Sequence, residues 1–215
     1  PIPDELKKEI ISAYENDETN YPPAEGVPEL RSAVCHFLNR LHGFDFKTEN
    51  IIIAGGARPI IYAIYKTIID PGDIVIFPVP SWNNNHYAQL SSAKFVVIET
   101  KAANKFMPMA ADFKNYIKTA TLISLCSPLN PTGTTLTEEA LAEICDLILE
   151  ENARRENGTK PLYLMYDQIY WTLTFGNTKH FDPVTLRPEM KDYTLFVDGI
   201  SKAFAATGVR VGWGI

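Results

Sequence analysis

The stretch that decides the fold runs from Ala120-Thr121-Leu122-Ile123-Ser124-Leu125, through Ser127-Pro128-Leu129-Asn130-Pro131-Thr132-Gly133 and the segment Thr137 to Asn152, to Leu162-Tyr163-Leu164-Met165-Tyr166. Two short apolar runs flank an amphipathic stretch of helical length, so the pattern predicts strand, loop, helix and strand. Thr137 supplies a capping hydroxyl ahead of the first-turn acids Glu138 and Glu139. Glu156-Asn157-Gly158-Thr159 reads as the turn back toward the sheet.

Outward from this unit the same alternation continues. Candidate strands are Ile51 to Ala54, Ile74 to Pro78, Lys94 to Ile98, Leu195 to Gly199 and a last one around Val209 to Ile215. Candidate helices are Pro28 to Leu41, Pro59 to Ile69, Ser81 to Ser91 and Met109 to Tyr116. Pro59 is expected at a helix start, where its missing N–H does no harm, and Asp70-Pro71-Gly72-Asp73 reads as a turn. The order predicts an α/β chain with a mainly parallel sheet covered by helices. No repeat, low-complexity tract or internal linker divides it.

With 215 residues, 46% of them hydrophobic, the chain can bury a sizeable core. Twenty basic against 26 acidic residues give a net charge of −6, which argues against a surface that holds nucleic acid. No apolar run reaches the roughly 18 residues of a membrane span, and Pro1-Ile2-Pro3-Asp4-Glu5 is not a secretion signal, so the chain reads as a cytoplasmic protein without membrane partners. Cys35, Cys126 and Cys145 share no CxxC spacing and the four histidines form no HxxxH pair, so reduced thiols and no metal site are expected.

Five loops at predicted strand carboxyl ends, where ligands of open α/β sheets gather, hold the chemistry. Gly55-Gly56-Ala57-Arg58 joins a strand to a helix, and its small residues let backbone N–H groups approach an anion. Pro80-Ser81-Trp82 brings a flat aromatic, and Asn130-Pro131-Thr132-Gly133 an amide. Asp167-Gln168-Ile169-Tyr170 brings a carboxylate and a phenol. Ser201-Lys202 brings an amine among small and apolar residues, with Arg210 eight positions on as an anion ligand. Each motif alone has a plain structural explanation; together they form one set of ligands for a phosphorylated, flat, cationic cofactor.

These residues resemble the fold type I pyridoxal-phosphate enzymes, specifically the class I and II aminotransferases. Tyr21-Pro22-Pro23-Ala24-Glu25-Gly26-Val27-Pro28-Glu29-Leu30-Arg31, Gly55-Gly56-Ala57, Pro80-Ser81-Trp82, Asn130-Pro131-Thr132-Gly133, Asp167-Gln168-Ile169-Tyr170, Ser201-Lys202-Ala203-Phe204 and Thr207-Gly208-Val209-Arg210-Val211-Gly212 stand in the family's order from about Asn20 onward. The resemblance implies a three-layer αβα domain around a seven-stranded, mainly parallel sheet whose last strand is antiparallel. It implies pyridoxal 5′-phosphate as cofactor, Lys202 as its Schiff-base lysine and Asp167 at the pyridine nitrogen. Tyr170 and Asn130 are implied at the ring oxygen, and Trp82 against the ring face. Gly56, Ala57, Arg58, Ser201 and Arg210 are implied at the phosphate.

Tyr21 is implied to reach the phosphate of a neighbouring subunit, hence a homodimer with shared sites. The expected division is an N-terminal segment, residues 1–27, at the dimer and site entrance, and a cofactor-binding large domain, residues 28–215, without the family's small C-terminal domain. The implied reaction moves an amino group between an amino acid and a 2-oxo acid, and Trp82 within Pro-Ser-Trp-Asn points toward dicarboxylic or aromatic substrates. Lyase, decarboxylase or synthase chemistry on the same fold, or a non-catalytic cofactor-binding fragment, are the alternatives. One departure stands out: Gly199 occupies a position where the family often has a hydroxyl residue on the phosphate, a contact that either Ser201 supplies in its place or the chain lacks.

Overall fold

The computed structural model describes residues 1–82 and 84–215. In chain order the helices and strands are α1 (Asp4–Glu15), α2 (Pro28–His42), β1 (Ile52–Ala54), α3 (Ala57–Ile68), β2 (Ile74–Val79), α4 (Asn84–Leu90), β3 (Lys94–Glu99) and α5 (Ala110–Phe113). There follow β4 (Ala120–Cys126), α6 (Glu138–Arg154), β5 (Tyr163–Asp167), α7 (Pro183–Leu186), β6 (Thr194–Gly199), α8 (Ile200–Ala203) and β7 (Gly212–Gly214). The seven strands form one sheet in the order β1-β7-β6-β5-β4-β2-β3. Strands β3, β2, β4, β5 and β6 pair in parallel, while β7 runs against both β1 and β6. The expected α/β architecture, with seven strands and an antiparallel last one, is therefore present.

Alternation along the strands feeds two cores, one on each face of the sheet. Ile123 of β4, Leu164 and Tyr166 of β5 and Phe196 of β6 pack with Leu38 of α2 and Leu141, Ile144 and Ile148 of α6. Leu122, Met165 and Val197 of the same strands pack on the opposite face with Ile60, Ile64 and Tyr65 of α3 and Ala88 of α4. Helices on both faces make the third layer. At the start of α6 the Thr137 hydroxyl accepts the Ala140 N–H at 3.2 Å, the cap read from the sequence.

Several elements differ from the sequence reading. Helix α3 begins at Ala57, not Pro59, because Gly56 at the N-cap takes φ +105°, a conformation that frees the chain to turn directly into the helix. Pro59 still lies in the first turn, where no N–H is needed. The stretch expected to be helical from Met109 to Tyr116 is helical only over Ala110–Phe113, and continues as turns anchored by buried Phe113 and Ile117. The last strand is confined to Gly212–Gly214, since Arg210 at φ +64° breaks extension ahead of it. Helix α1 was not foreseen, although Leu6, Ile10 and Tyr14 recur at helical spacing; none of its residues is buried. The helix expected over Ser81 to Ser91 is present from Asn84 to Leu90, and Asn83 lies outside the described residues.

Candidate active site

The topology gathers the motifs. Because β7 opposes both β1 and β6, strand β1 points the same way as the parallel strands, and the carboxyl ends of β1, β2, β4, β5 and β6 share one edge. Gly55-Gly56, Trp82, Asn130, Asp167 with Tyr170, and Lys202 all emerge there.

Trp82, Asn130, Asp167 and Tyr170 line one cleft. Asp167 follows Met165 on the α3 face of β5, and its Oδ1 accepts the Ile169 N–H at 3.1 Å. No other described residue hydrogen-bonds its carboxylate. Burial pushes its pKa up to about 6, opposed by that single N–H. A carboxylate so placed lacks a cation and is open toward the cleft. The Asn130 Nδ2 donates to the Tyr170 hydroxyl at 3.1 Å, and burial raises the phenol's pKa. Trp82 is 57% exposed, so it is a wall of the cleft and not a core residue.

Lys202 reaches in from α8, its Nζ 5.7 Å from the Tyr170 ring centroid. The amine makes no hydrogen bond or ion pair with a described residue. At the neighbouring end of β1, Arg210 lies across the glycine loop: its Nη2 donates to Gly55 O at 3.1 Å and its Nη1 to Thr207 O at 2.7 Å. A Cβ on Gly56 would stand 2.2 Å from Nη2, a contact that the flexible end of Arg210 could relieve by moving, whereas the φ of +105° at Gly56 itself favours glycine. Ala57 follows as the first residue of α3, whose free N–H groups and dipole favour an anion. Gly56, Ala57 and Arg210, which the sequence reading expects at one anion, thus stand side by side.

Other expected residues are not drawn into contact. Arg58 is exposed on the first turn of α3, Ser201 is buried with no hydrogen bond from its hydroxyl to a described residue, and Tyr21 stands fully exposed. Gly199 has a structural reason: a Cβ there would lie 2.7 Å from Val211 O and 2.8 Å from Gly212 Cα, so the hydroxyl residue of the family pattern has no room.

Sequence reasoning missed Asn84, Tyr87, Ser124 and Cys126, which also line the cleft. Asn84 is buried, and its Oδ1 accepts the Ser124 hydroxyl at 2.8 Å. Ser124 read as one polar residue in an apolar strand, and its alternation with Cys126 toward one face was the signal available. Burial, with the Asp167 charge adding to it, raises the Cys126 thiol well above its ordinary range, so it is not a nucleophile.

Residues 2–215 match the family model described as aminotransferase class I and II. A probable aspartate/prephenate aminotransferase of Rhizobium leguminosarum bv. phaseoli is 33% identical over 214 residues, which is 98% of this chain and 51% of that protein. An aspartate aminotransferase of Pinus pinaster is 33% identical over 98% of this chain and 42% of its own length. Among solved structures, the aspartate aminotransferase from Thermus thermophilus with maleate matches with a TM-score of 0.90 at 30% identity, over 99% of this chain and 53% of that one. The aromatic aminotransferase from Pyrococcus horikoshii OT3 matches with a TM-score of 0.91 at 26% identity, over all of this chain and 55% of that one. The chain spans about half the length of the relatives it matches. It belongs to the class I and II aminotransferases.

Proposed function

We propose that this chain carries the cofactor site of a pyridoxal-phosphate-dependent aminotransferase that moves an amino group between an amino acid and a 2-oxo acid. The observation that carries the reading is the half-buried carboxylate of Asp167, without a cation among the described residues and open to a cleft that Trp82, Asn130 and Tyr170 share, with the unpaired amine of Lys202 beside it. The donor set fits the group: a carboxylate for a cationic ring nitrogen, a phenol and an amide for a ring oxygen, and a glycine loop with an arginine for a phosphate.

When bound, pyridoxal phosphate supplies an aldehyde for the lysine and an electron-withdrawing ring for the substrate's α-carbon. Everything else falls to the protein. Asp167 Oδ2 holds a proton on the ring nitrogen, and its raised pKa marks how much a cationic partner relieves there. Tyr170 and Asn130, already joined at 3.1 Å, orient the ring through its oxygen. Trp82 covers the ring face and fixes its plane. The N–H groups of Gly56 and Ala57, with Arg210, hold the phosphate, Arg58 and Ser201 flanking it. Lys202 Nζ would be the amine that takes up the aldehyde and, when free, the base placed to move a proton at the substrate's α-carbon.

Residues 28–215 form the cofactor-binding domain in this reading, and residues 1–27 bring Tyr21 to a second subunit of a homodimer in the cytoplasm. The full exposure of Tyr21 and the absence of a buried residue in α1 support a segment that packs on something other than its own domain. Substrates are expected to be dicarboxylic or aromatic amino acids, as the names of the relatives suggest.

The test is product analysis with the full-length protein, pyridoxal phosphate and aspartate or an aromatic amino acid. Transamination predicts a 2-oxo acid in amounts matching pyridoxamine phosphate. Release of ammonia, carbon dioxide or an alkene in its place would overturn transamination in favour of lyase, decarboxylase or synthase chemistry.

A further inference from the structure

Behind the cleft, on the α2 and α6 face of the sheet, lies a second carboxylate. Asp198 is 1% exposed, and alternation along β6 turns it away from Val197, which packs on the α3 face. Its Oδ1 accepts the Gly199 N–H at 2.7 Å. Its Oδ2 accepts the Trp171 indole N–H at 2.9 Å and the Gln168 amide at 3.4 Å. No lysine, arginine or histidine among the described residues pairs with it.

These donors belong to two segments that each carry a site residue. Gln168 directly follows Asp167, Trp171 directly follows Tyr170, and Gly199 stands three residues before Lys202. One buried oxygen pair therefore spans the loop after β5 and the turn after β6. The carboxylate can only accept, so Gln168 must turn its NH₂ toward Asp198 and its Oε1 outward. Gln168 Oε1 lies 3.3 Å from His180 Nε2, which must then carry the ring proton. Burial lowers the His180 pKa to about 4, so the ring is neutral at pH 7 and held in this tautomer. Its Nδ1 is buried without a partner among the described residues.

We propose that Asp198 is a positioning residue of the cofactor site: its carboxylate clamps the Asp167–Tyr170 segment to the Lys202 turn and, through Gln168, sets the orientation of His180. The inference rests on the roles given above to Asp167, Tyr170 and Lys202. A buried carboxylate without a cation is a costly way to hold two loops, and apolar packing would do so without desolvation. What only a charge adds is coupling to the site. Burial, together with the Asp167 charge, pushes the Asp198 pKa up to about 7 against the pull of its three donors. The other titratable groups on that side include His180, the Tyr166 phenol whose ring lies 6.0 Å from it, and, beyond it, His42 paired with Asp182 at 3.3 Å. A cation settling on Asp167 removes the like-charge repulsion, so the clamp and the cofactor stabilise one another.

The test reads the clamp directly in the full-length protein, through the indole N–H signals in ¹H–¹⁵N spectra with and without pyridoxal phosphate. The Trp171 signal is identified by its loss in Trp171→Phe. The account predicts that this signal titrates near neutral pH in the cofactor-free protein, with a midpoint that falls on cofactor addition. In Asp198→Asn it stops titrating, and the dissociation constant for pyridoxal phosphate rises roughly tenfold, as for loss of a hydrogen bond to a charged group. If the Asn variant does not fold, Trp171→Phe carries the test, with a smaller rise in the same constant. An indole signal indifferent to Asp198→Asn, or unchanged cofactor affinity in the folded variants, would overturn the proposal. Wild-type protein that binds no pyridoxal phosphate, while its Trp171 signal titrates as described, would instead sink the reading of the site on which the proposal rests.

Discussion

The two ends of the sheet treat buried charge in opposite ways. At the amino ends of β4 and β5, the side chains of Arg155 and Glu151 are 9% and 7% exposed, and Arg155 Nε meets Glu151 Oε1 at 3.2 Å. The remaining guanidinium donors reach Ile117 O at 2.8 Å, Ala120 O at 2.7 Å and Lys160 O at 2.5 Å. Every donor nitrogen there has an acceptor, and the pair ties α6 to the strands it crosses. At the carboxyl ends, Asp167 receives one N–H, Asp198 has no cation, and Lys202 has no polar partner among the described residues. A matched buried charge holds a fold together, whereas an unmatched one is kept for something that arrives.

That contrast can be broken from either end. The largest effect is expected at Lys202: Lys202→Ala should lower turnover by more than about 10⁴-fold while leaving the unfolding transition nearly in place. Asp167→Ala should keep the cofactor bound yet slow turnover by several kcal/mol, about a thousandfold, as steady-state and binding assays on one preparation would show. Arg155→Ala should do the reverse, removing about 3–5 kcal/mol of stability by leaving Glu151 buried and unpaired, with cofactor affinity per folded molecule unchanged. Denaturant titration beside cofactor titration separates the two outcomes, and a loss of affinity without a loss of stability in Arg155→Ala would erase the distinction drawn here.

The smallest effect is one of pH. Asp198, with its pKa raised to about 7, holds a proton in the folded state that the unfolded chain has released. Its stabilising contribution is full below the ordinary carboxylate range and is lost as pH rises through about 7. Stability of the cofactor-free protein should thus fall between about pH 6.5 and 8, by no more than about 1.4 kcal/mol per unit, and Asp198→Asn should flatten that slope. His180, with its pKa lowered to about 4, acts with the opposite sign below about pH 6.5, because the unfolded ring binds a proton that the buried ring refuses. The slope is therefore read above that value.

Much of this arrangement was legible in the sequence because local and global signals agreed. The unit from β4 through α6 to β5 combines period-two runs, a capped helix and a turn, and each lies where its pattern placed it. The cleft residues Trp82, Asn130, Asp167 and Tyr170 were legible because each ends a strand, and strands of one direction bring their ends to one edge. What was not legible depends on distance along the chain. Arg210 meets Gly55 across 155 positions, and no local pattern told of this close approach. Asp198 stands at the polar end of an apolar strand; two of its three donors come from a segment some 30 residues earlier. Helix α1 lacks any buried face, so its reason for being helical lies outside the packing of this chain.

The most direct test of the central claim is to mix the full-length protein with pyridoxal phosphate, reduce it with borohydride and locate the modified peptide by mass. The account predicts a yellow absorbance that borohydride bleaches, with the added mass on Lys202 and absent from Lys202→Ala. A label on another lysine, or an unchanged spectrum in Lys202→Ala, would contradict it.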